Sequence, residues 1–308
     1  MLAIINTPGG PEPAAIREVA EPELRPNEAL VAVHAFSLNR GELRLFQVRP
    51  EGWRPGQDIA GVVLQAAADG SGPSAGTRVV ALTDQAGWAE RAAVPSHRIA
   101  PLADNVSFGG AASLPVAGLT ALRSLRHGAP LLGKRVLITG AAGGVGNLAV
   151  QLAVRSGARV TAIVGSSERG QVLNGLGAAE IVTDIAQAQG RFGLILESAG
   201  GASLTAAIER IEARGTIVVY GNSSGEPTAL NFRDFAEHQN ARIQAFLYFT
   251  SEPEERFSSD LALLAGLIAD GSLKPRIVEH SWRELSRIGP LLRDRQIPGK
   301  AIFNIDQR

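Results

Sequence analysis

Apolar and polar positions change rhythm partway along the chain. Up to about residue 112, short alternating or wholly apolar runs are broken every few positions by Gly and Pro, as at 30–36, 59–64 and 77–82. Few stretches have a helical period, so this part is expected to form an antiparallel β domain. From about residue 113, apolar runs of strand length alternate with amphipathic helical stretches. Strands are expected at 135–139, 159–164, 193–197, 215–220 and 242–248, an order that suits a doubly wound parallel sheet. Near the end, a helix is expected over 260–270, stopped by Gly271, and a last strand over 301–305.

One junction carries chemistry. The run Val136-Leu-Ile-Thr-Gly-Ala-Ala-Gly-Gly-Val-Gly146 is an apolar strand that ends in a glycine-rich turn. A helix follows at once, with Val145, Leu148, Ala149 and Leu152 on one stripe and Gly157 as its stop. Strand, glycine turn and helix in that order mark a dinucleotide site. Small residues let a pyrophosphate approach the backbone, and the helix N-terminus offers N–H groups and partial positive charge. Ala141 stands at the first position of G-x-G-x-x-G, with Gly143 and Gly146 at the others. The candidate cofactor contacts of this turn are Ala141, Gly143, Gly144, Val145 and Gly146. The competing reading is a tight turn that binds nothing.

The next strand selects the dinucleotide. An NAD site places an acid at its end, to hold the ribose 2′-hydroxyl. Here that position is Val164, followed by Gly165-Ser-Ser-Glu-Arg169. Arg169 can pair with a 2′-phosphate and Ser166 can donate to it, which points to NADPH. Alternatively, Ser166 caps the following helix, Arg169 is a solvated charge, and Glu168 is a displaced ribose acid.

Composition narrows the rest. The 308 residues are enough for two domains, and 35 Gly with 45% hydrophobic residues fits an α/β protein. Thirty basic against thirty acidic residues leave no footprint for nucleic acid or an anionic membrane. There is no cysteine, which removes disulfides, thiolate zinc sites and thiol catalysis. No apolar run is long enough to span a bilayer, and 1–8 resembles a first strand more than a signal peptide, so a cytoplasmic protein is expected. A metal site from His34, His97 and an acid has no supporting spacing, and no metal is expected.

Several further stretches carry a family resemblance: Ser37-Leu-Asn39, Pro55-Gly-Gln-Asp-Ile-Ala-Gly-Val-Val63, Leu114-Pro-Val-Ala-Gly-Leu-Thr-Ala121, the glycine turn itself, Gly221-Asn-Ser-Ser-Gly225 and Gly299-Lys300. In this order and spacing the chain resembles a zinc-free medium-chain dehydrogenase/reductase, close to the bacterial NADPH:quinone oxidoreductases. The resemblance implies an α/β protein: a GroES-like β domain (1–112, completed by 266–308) and a Rossmann domain with a doubly wound parallel sheet (113–265), the active site lying in the cleft. Zinc alcohol dehydrogenases of this superfamily carry a Cys and a Gly-His-Glu where this chain has Asn39-Arg-Gly-Glu42 and Gly56-Gln-Asp58. Without zinc as Lewis acid, hydride delivery to an electron-poor small molecule, a quinone or an α,β-unsaturated carbonyl, is the expected chemistry.

The resemblance also assigns roles. It places Asn39 beside nicotinamide and substrate, Thr120 at the nicotinamide carboxamide, and Gly221, Asn222 and Ser223 along the nicotinamide half. Phe246, Leu247 and Tyr248 match a segment whose backbone meets the nicotinamide and whose strand pairs across a homodimer. Lys300 matches a lysine that reaches cofactor oxygens. The plain alternatives are an Asn that fixes a turn, a Thr bonded to its own helix, a buried core segment and a surface Lys. Asn39 and Tyr248 are the candidate catalytic side chains. Neither Tyr248 nor Tyr220, the only other tyrosine, lies in a general-acid pattern. Substrate choice would rest with the loops around 40–54 and 248–258. A different acceptor, such as a 2-alkenal or a biosynthetic intermediate, and a largely non-catalytic NADPH-binding protein are the rival functions.

Overall fold

The computed structural model describes residues 1–9, 13–250 and 256–306. The chain divides into two compact units, one formed by 1–119 and 253–308, the other by 120–252.

The first unit begins with the hairpin β1 (Leu2–Asn6) and β2 (Ala14–Glu18). Then come β3 (Glu28–Leu38), α1 (Arg40–Val48), β4 (Asp58–Gln65), β5 (Arg78–Leu82), β6 (Arg91–Pro95), β7 (Ile99–Pro101) and α2 (Phe108–Ala112). Helix α3 (Pro115–Arg126) contains the division. The second unit holds β8 (Arg135–Ile138), α4 (Gly144–Arg155), β9 (Arg159–Ile163), α5 (Ser167–Gly170), β10 (Glu180–Val182), β11 (Phe192–Glu197), α6 (Gly201–Arg210), β12 (Ile211–Val219) and β13 (Arg242–Ala245). The chain returns to the first unit with α7 (Phe257–Ala269), β14 (Ile277–Ser281), α8 (Leu285–Arg293) and β15 (Lys300–Asn304).

In the first unit, a seven-stranded sheet runs β14-β15-β3-β4-β5-β7, with β6 also paired to β3. Its ladders are antiparallel, as the alternation in the sequence predicts, except that β14 and β15 run parallel. Strand β3 alternates buried and half-buried residues up to His34, then buries Ala35 to Leu38 on both faces. There Phe36 stacks on Trp88 and Phe303, with ring centroids 5.0 and 5.3 Å apart. Helix α7 packs on β5 and β7, which is why it belongs to this unit. The expected boundary at 265/266 therefore moves to 252/253. The helix itself starts at Phe257, three residues before the expected 260, and Gly271 follows it in the left-handed conformation.

The second unit is a parallel sheet in the order β10-β9-β8-β11-β12-β13. Strands β8, β9 and β11 are almost wholly buried runs, as a sheet covered on both faces requires. Strand β13 stops at Ala245 and not at 248. The Phe246 N–H still bonds to Val219 O, but the chain then turns, with Thr250 N–H donating to Leu247 O. Helix α1, absent from the reading of residues 1–112, is nine residues long and buries only Glu42 and Phe46, too little apolar surface to show a period.

Candidate functional site

In the second unit, the carboxyl ends of three neighbouring strands, β8, β11 and β12, carry loops that pack side by side. Gly140 turns the chain at φ 59°, and the Ala141 N–H then donates to Ile163 O. Gly143 is the N-cap of α4, and Asn147 N–H is the first bonded back to it, so the N–H groups of Gly144, Val145 and Gly146 lie outside the helix's own ladder. No acidic residue stands in that first turn. At Gly146, a Cβ would overlap Gly140 O and come within 2.6 Å of Ala141 Cα, all backbone that cannot yield. At Gly143, the nearest atom to such a Cβ is Gly140 O, at 3.1 Å. Gly146 is thus needed by the packing of helix on turn, while Gly143 keeps a surface open for approach.

A buried carboxylate, which sequence reasoning missed, organises the neighbouring loop. Glu197 ends β11 and is fully buried. Its oxygens accept from the Gly200 N–H (2.8 Å), Ser203 Oγ (2.8 Å), Ala199 N–H (3.1 Å) and Thr139 Oγ1 (3.2 Å). Ser223 N–H donates to Ser198 O, and the Asn222 amide oxygen lies where a Gly200 side chain would point. So Thr139–Gly146, Glu197–Gly200 and Gly221–Ser223 share one rim. Tyr220 donates to Thr139 O at 3.4 Å, and burial pushes its phenol well above the usual range, so it stays neutral.

Beyond β9, Val164 is buried and no carboxylate ends the strand. Ser166 caps α5, its hydroxyl accepting from Arg169 N–H at 3.3 Å while its own hydrogen remains to donate. The Arg169 guanidinium lies beside Gly165, 3.9 Å from where a Cβ would stand, and is half-buried. Glu168 is exposed.

Thr120 is buried on α3. One turn on, Arg123 donates to Tyr248 O at 2.8 Å, and His127 meets Phe246 edge-on at 5.5 Å. Phe246 and Tyr248 are buried, whereas Leu247 is 54% exposed. Residues 251–255 of the expected 248–258 loop lie outside the described residues.

The first unit gathers a second cluster from β3, α1, β4, α3 and β15. Asn39 caps α1, and its amide nitrogen donates to Glu42 Oε2 (3.1 Å) and Asp58 Oδ2 (2.9 Å). Lys300 donates to Asn39 Oδ1 (2.5 Å) and Asp58 Oδ2 (2.9 Å). Asp58 also accepts from Ser37 Oγ (2.5 Å) and Val116 N–H (2.7 Å). Glu42 accepts from the N–H groups of Asn39 (2.9 Å) and Gln57 (3.1 Å). Burial, then the Asp58 charge, push the Glu42 carboxyl up to about 8, against the pull of Asn39 and Lys300. Asn39 and Lys300, singled out separately in the sequence, are therefore direct neighbours. Lys300 is buried, not a surface lysine.

These are the stretches that face zinc in the zinc dehydrogenases, and the residues do not fit that metal. The chain has no cysteine, Gln57 stands for the histidine, and Asp58 is engaged by an ammonium. Among the described residues no three His, Cys, Asp or Glu side chains are grouped as a metal site would need. His34 stacks on Phe108 at 4.5 Å, and burial with the nearby Arg78 keeps its imidazole below the usual range.

Known proteins are similar to this chain in sequence and fold. Residues 25–113 match the family described as "Alcohol dehydrogenase GroES-like domain", and residues 144–266 that described as "Zinc-binding dehydrogenase". A human quinone oxidoreductase is 28% identical over 287 residues, spanning 87% of this chain and 86% of that protein. NorB of Streptomyces orinoci, a spectinabilin polyketide synthase system protein, is 35% identical over 84% of this chain, a match that covers 12% of that protein. The solved Escherichia coli quinone oxidoreductase complexed with NADPH superposes with a TM-score of 0.87 at 22% identity, over 99% of this chain and 100% of that one.

Proposed function

The chain belongs to the medium-chain dehydrogenase/reductase family, and from that premise we propose that it is an NADPH-dependent, metal-free oxidoreductase acting on a quinone or an α,β-unsaturated carbonyl. The observation that carries the cofactor reading is the β8–α4 turn. Gly146 seats the helix against Gly140, Gly143 leaves the backbone open, and the first-turn N–H groups point out of the ladder with no acid beside them. These groups suit a pyrophosphate. Ser166 and Arg169, next to a strand end that lacks a carboxylate, suit a 2′-phosphate. In this reading Thr120, Gly221–Ser223 and Phe246–Leu247 hold the nicotinamide half. Bound NADPH would supply a hydride from its nicotinamide ring.

Asn39 and Lys300 are the polar groups of the first unit assigned to substrate or cofactor oxygens. Their mutual bond and the shared Asp58 fix both side chains in one orientation, so their contribution is positioning. Tyr248 contributes its backbone, held by Arg123, more readily than its buried ring. The acceptor itself supplies conjugation to spread developing negative charge, the task zinc performs elsewhere.

The kinship with part of a polyketide synthase system protein supports the alternative of a biosynthetic acceptor. We further propose a cytoplasmic homodimer that pairs along β13, the last strand of its sheet, beside the exposed Leu247 and Phe249. Among the described residues no helix is long and apolar enough to cross a membrane. Steady-state oxidation of NADPH and NADH against a panel of quinones, enones and saturated ketones tests the proposal. Turnover with NADPH and the conjugated acceptors supports it. Binding of NADPH without turnover on any acceptor would reduce the protein to a nucleotide binder.

A further inference from the structure

Glu197 is fully buried, and among the described residues no lysine, arginine or histidine pairs with it. A buried carboxylate without a cation carries a desolvation cost that only hydrogen bonds can offset. An apolar side chain ends a strand of this sheet without that cost, as Ile138 ends β8 and Ile163 ends β9. What an apolar or amide side chain cannot do is accept four bonds and donate none. The four donors tie two places together. Ala199, Gly200 and Ser203 lie in the turn and helix start after β11, and Thr139 lies just past β8. Thr139 Oγ1 also accepts from the Ser198 N–H at 2.8 Å, so the loop 198–200 is held from both sides. That loop carries the next one. The Ser223 N–H donates to Ser198 O at 3.0 Å and the Ser224 N–H to Ala199 O at 2.8 Å. Gly200, at φ 72°, lies so close to Asn222 that a Cβ would overlap the amide oxygen. The glycine turn has ties of its own, from the Thr139 N–H to Leu196 O and from the Ala141 N–H to Ile163 O. All these residues belong to the second unit.

We infer that Glu197 is a positioning residue for the nicotinamide half of the cofactor, a role that rests on the NADPH reading above. Its oxygens keep 198–200 in the path from which Ser223 and Ser224 hang, and so set where the loop Gly221–Ser223 lies. The 2′-phosphate groups Ser166 and Arg169 are not among its partners, and the glycine turn keeps its backbone ties without it. Glutamine has the same size but would turn an NH₂ donor toward one of the four donors. Aspartate is one methylene shorter yet still only accepts. A side chain that merely fills space would be better replaced by glutamine; one that acts as an acceptor is better replaced by aspartate.

The test measures binding by the full chain of two ligands: NADPH, by its fluorescence, and adenosine 2′,5′-bisphosphate, which lacks the nicotinamide half, by calorimetry. Glu197→Gln should bind NADPH about tenfold or more weaker, the worth of one hydrogen bond to a charged group, and the bisphosphate within about threefold of wild type. Glu197→Asp should lie between wild type and Glu197→Gln for NADPH. Phe192→Leu, at the opposite end of β11, controls for lost stability and should leave both affinities unchanged. If Glu197→Gln does not fold, Thr139→Val takes its place with the same expectation, since it removes the hydroxyl bonded to Glu197 and to the Ser198 N–H. A wild type that does not bind NADPH would overturn the cofactor reading and this inference with it. Where wild type binds both ligands, four results would overturn this inference alone: undiminished NADPH binding in Glu197→Gln, an equal loss of both ligands, a greater loss in Glu197→Asp than in Glu197→Gln, or a comparable loss in Phe192→Leu.

Discussion

Replacing Lys300 by Met keeps the apolar stem and removes only the ammonium. Lys300 Nζ sits 2.9 Å from Asp58 Oδ2, with the two side chains 7% and 0% exposed. Removing one partner of such a buried pair costs about 3–5 kcal/mol, because the other charge stays buried without compensation. Asp58 keeps its bonds from Ser37, Asn39 and Val116, which places the expected loss near the lower end, about 3 kcal/mol. Asp58→Asn/Lys300→Met removes both charges, so the double variant should lose at least about 1.5 kcal/mol less than the two single losses added together. The assay is equilibrium guanidinium unfolding followed by tryptophan fluorescence. Trp53, Trp88 and Trp282 all lie in the first unit, so the signal reports the unit that holds the pair. A loss below about 1 kcal/mol at unchanged denaturant slope, or strict additivity in the double variant, would refute the buried-pair reasoning.

Three further outcomes follow from the geometry. Gly146→Ala should cost at least about 2 kcal/mol, since its Cβ meets only backbone, whereas Gly143→Val should keep its far-UV circular dichroism and lose NADPH affinity by fluorescence titration. Arg169→Ala should raise KM for NADPH roughly 10- to 150-fold, the worth of one charge-assisted hydrogen bond, and leave KM for NADH nearly unchanged; equal losses for both remove Arg169 from the phosphate site. Between about pH 4.5 and 8, Glu42, its carboxyl raised by burial to about 8, holds a proton in the folded state that the unfolded chain has released. Its share of stability is therefore complete below about pH 4.5 and is lost as pH rises toward about 8, by several kcal/mol at about 1.4 kcal/mol per unit. Urea unfolding at pH 5, 6.5 and 8 should show this decline in the wild type and a flatter dependence in Glu42→Gln.

The parallel sheet was legible because each of its inner strands is buried on both faces and so appears as an unbroken apolar run, as in 136–138 and 194–196. The glycine turn was legible for a related reason, since only residues without bulk allow helix α4 to approach Gly140. What escaped was whatever depends on long-range contact. Apart from the resemblance, nothing near Lys300 set it apart from a surface cation, because its partners Asn39 and Asp58 are 261 and 242 residues away along the chain. Glu197 carried one faint signal, an acid closing an apolar run just before Ser-Ala-Gly-Gly; three of its four donors lie in the turn and helix start that follow it, but the fourth, Thr139, is 58 residues earlier. The early end of β13 was hidden because Phe246 and Tyr248 alternate with Leu247 as a strand would. It is Arg123, on helix α3, and His127, just past its end, both more than a hundred residues earlier, that contact this segment.

Transfer of deuterium from C4-labelled NADPH to a cyclic enone, in protein treated exhaustively with a chelator, tests the central claim most directly. The account predicts undiminished turnover, label on the β-carbon, solvent hydrogen on the α-carbon, and little reduction of the matching saturated ketone. Label on the carbonyl carbon, or activity that is lost with the chelator and restored by zinc, would contradict it.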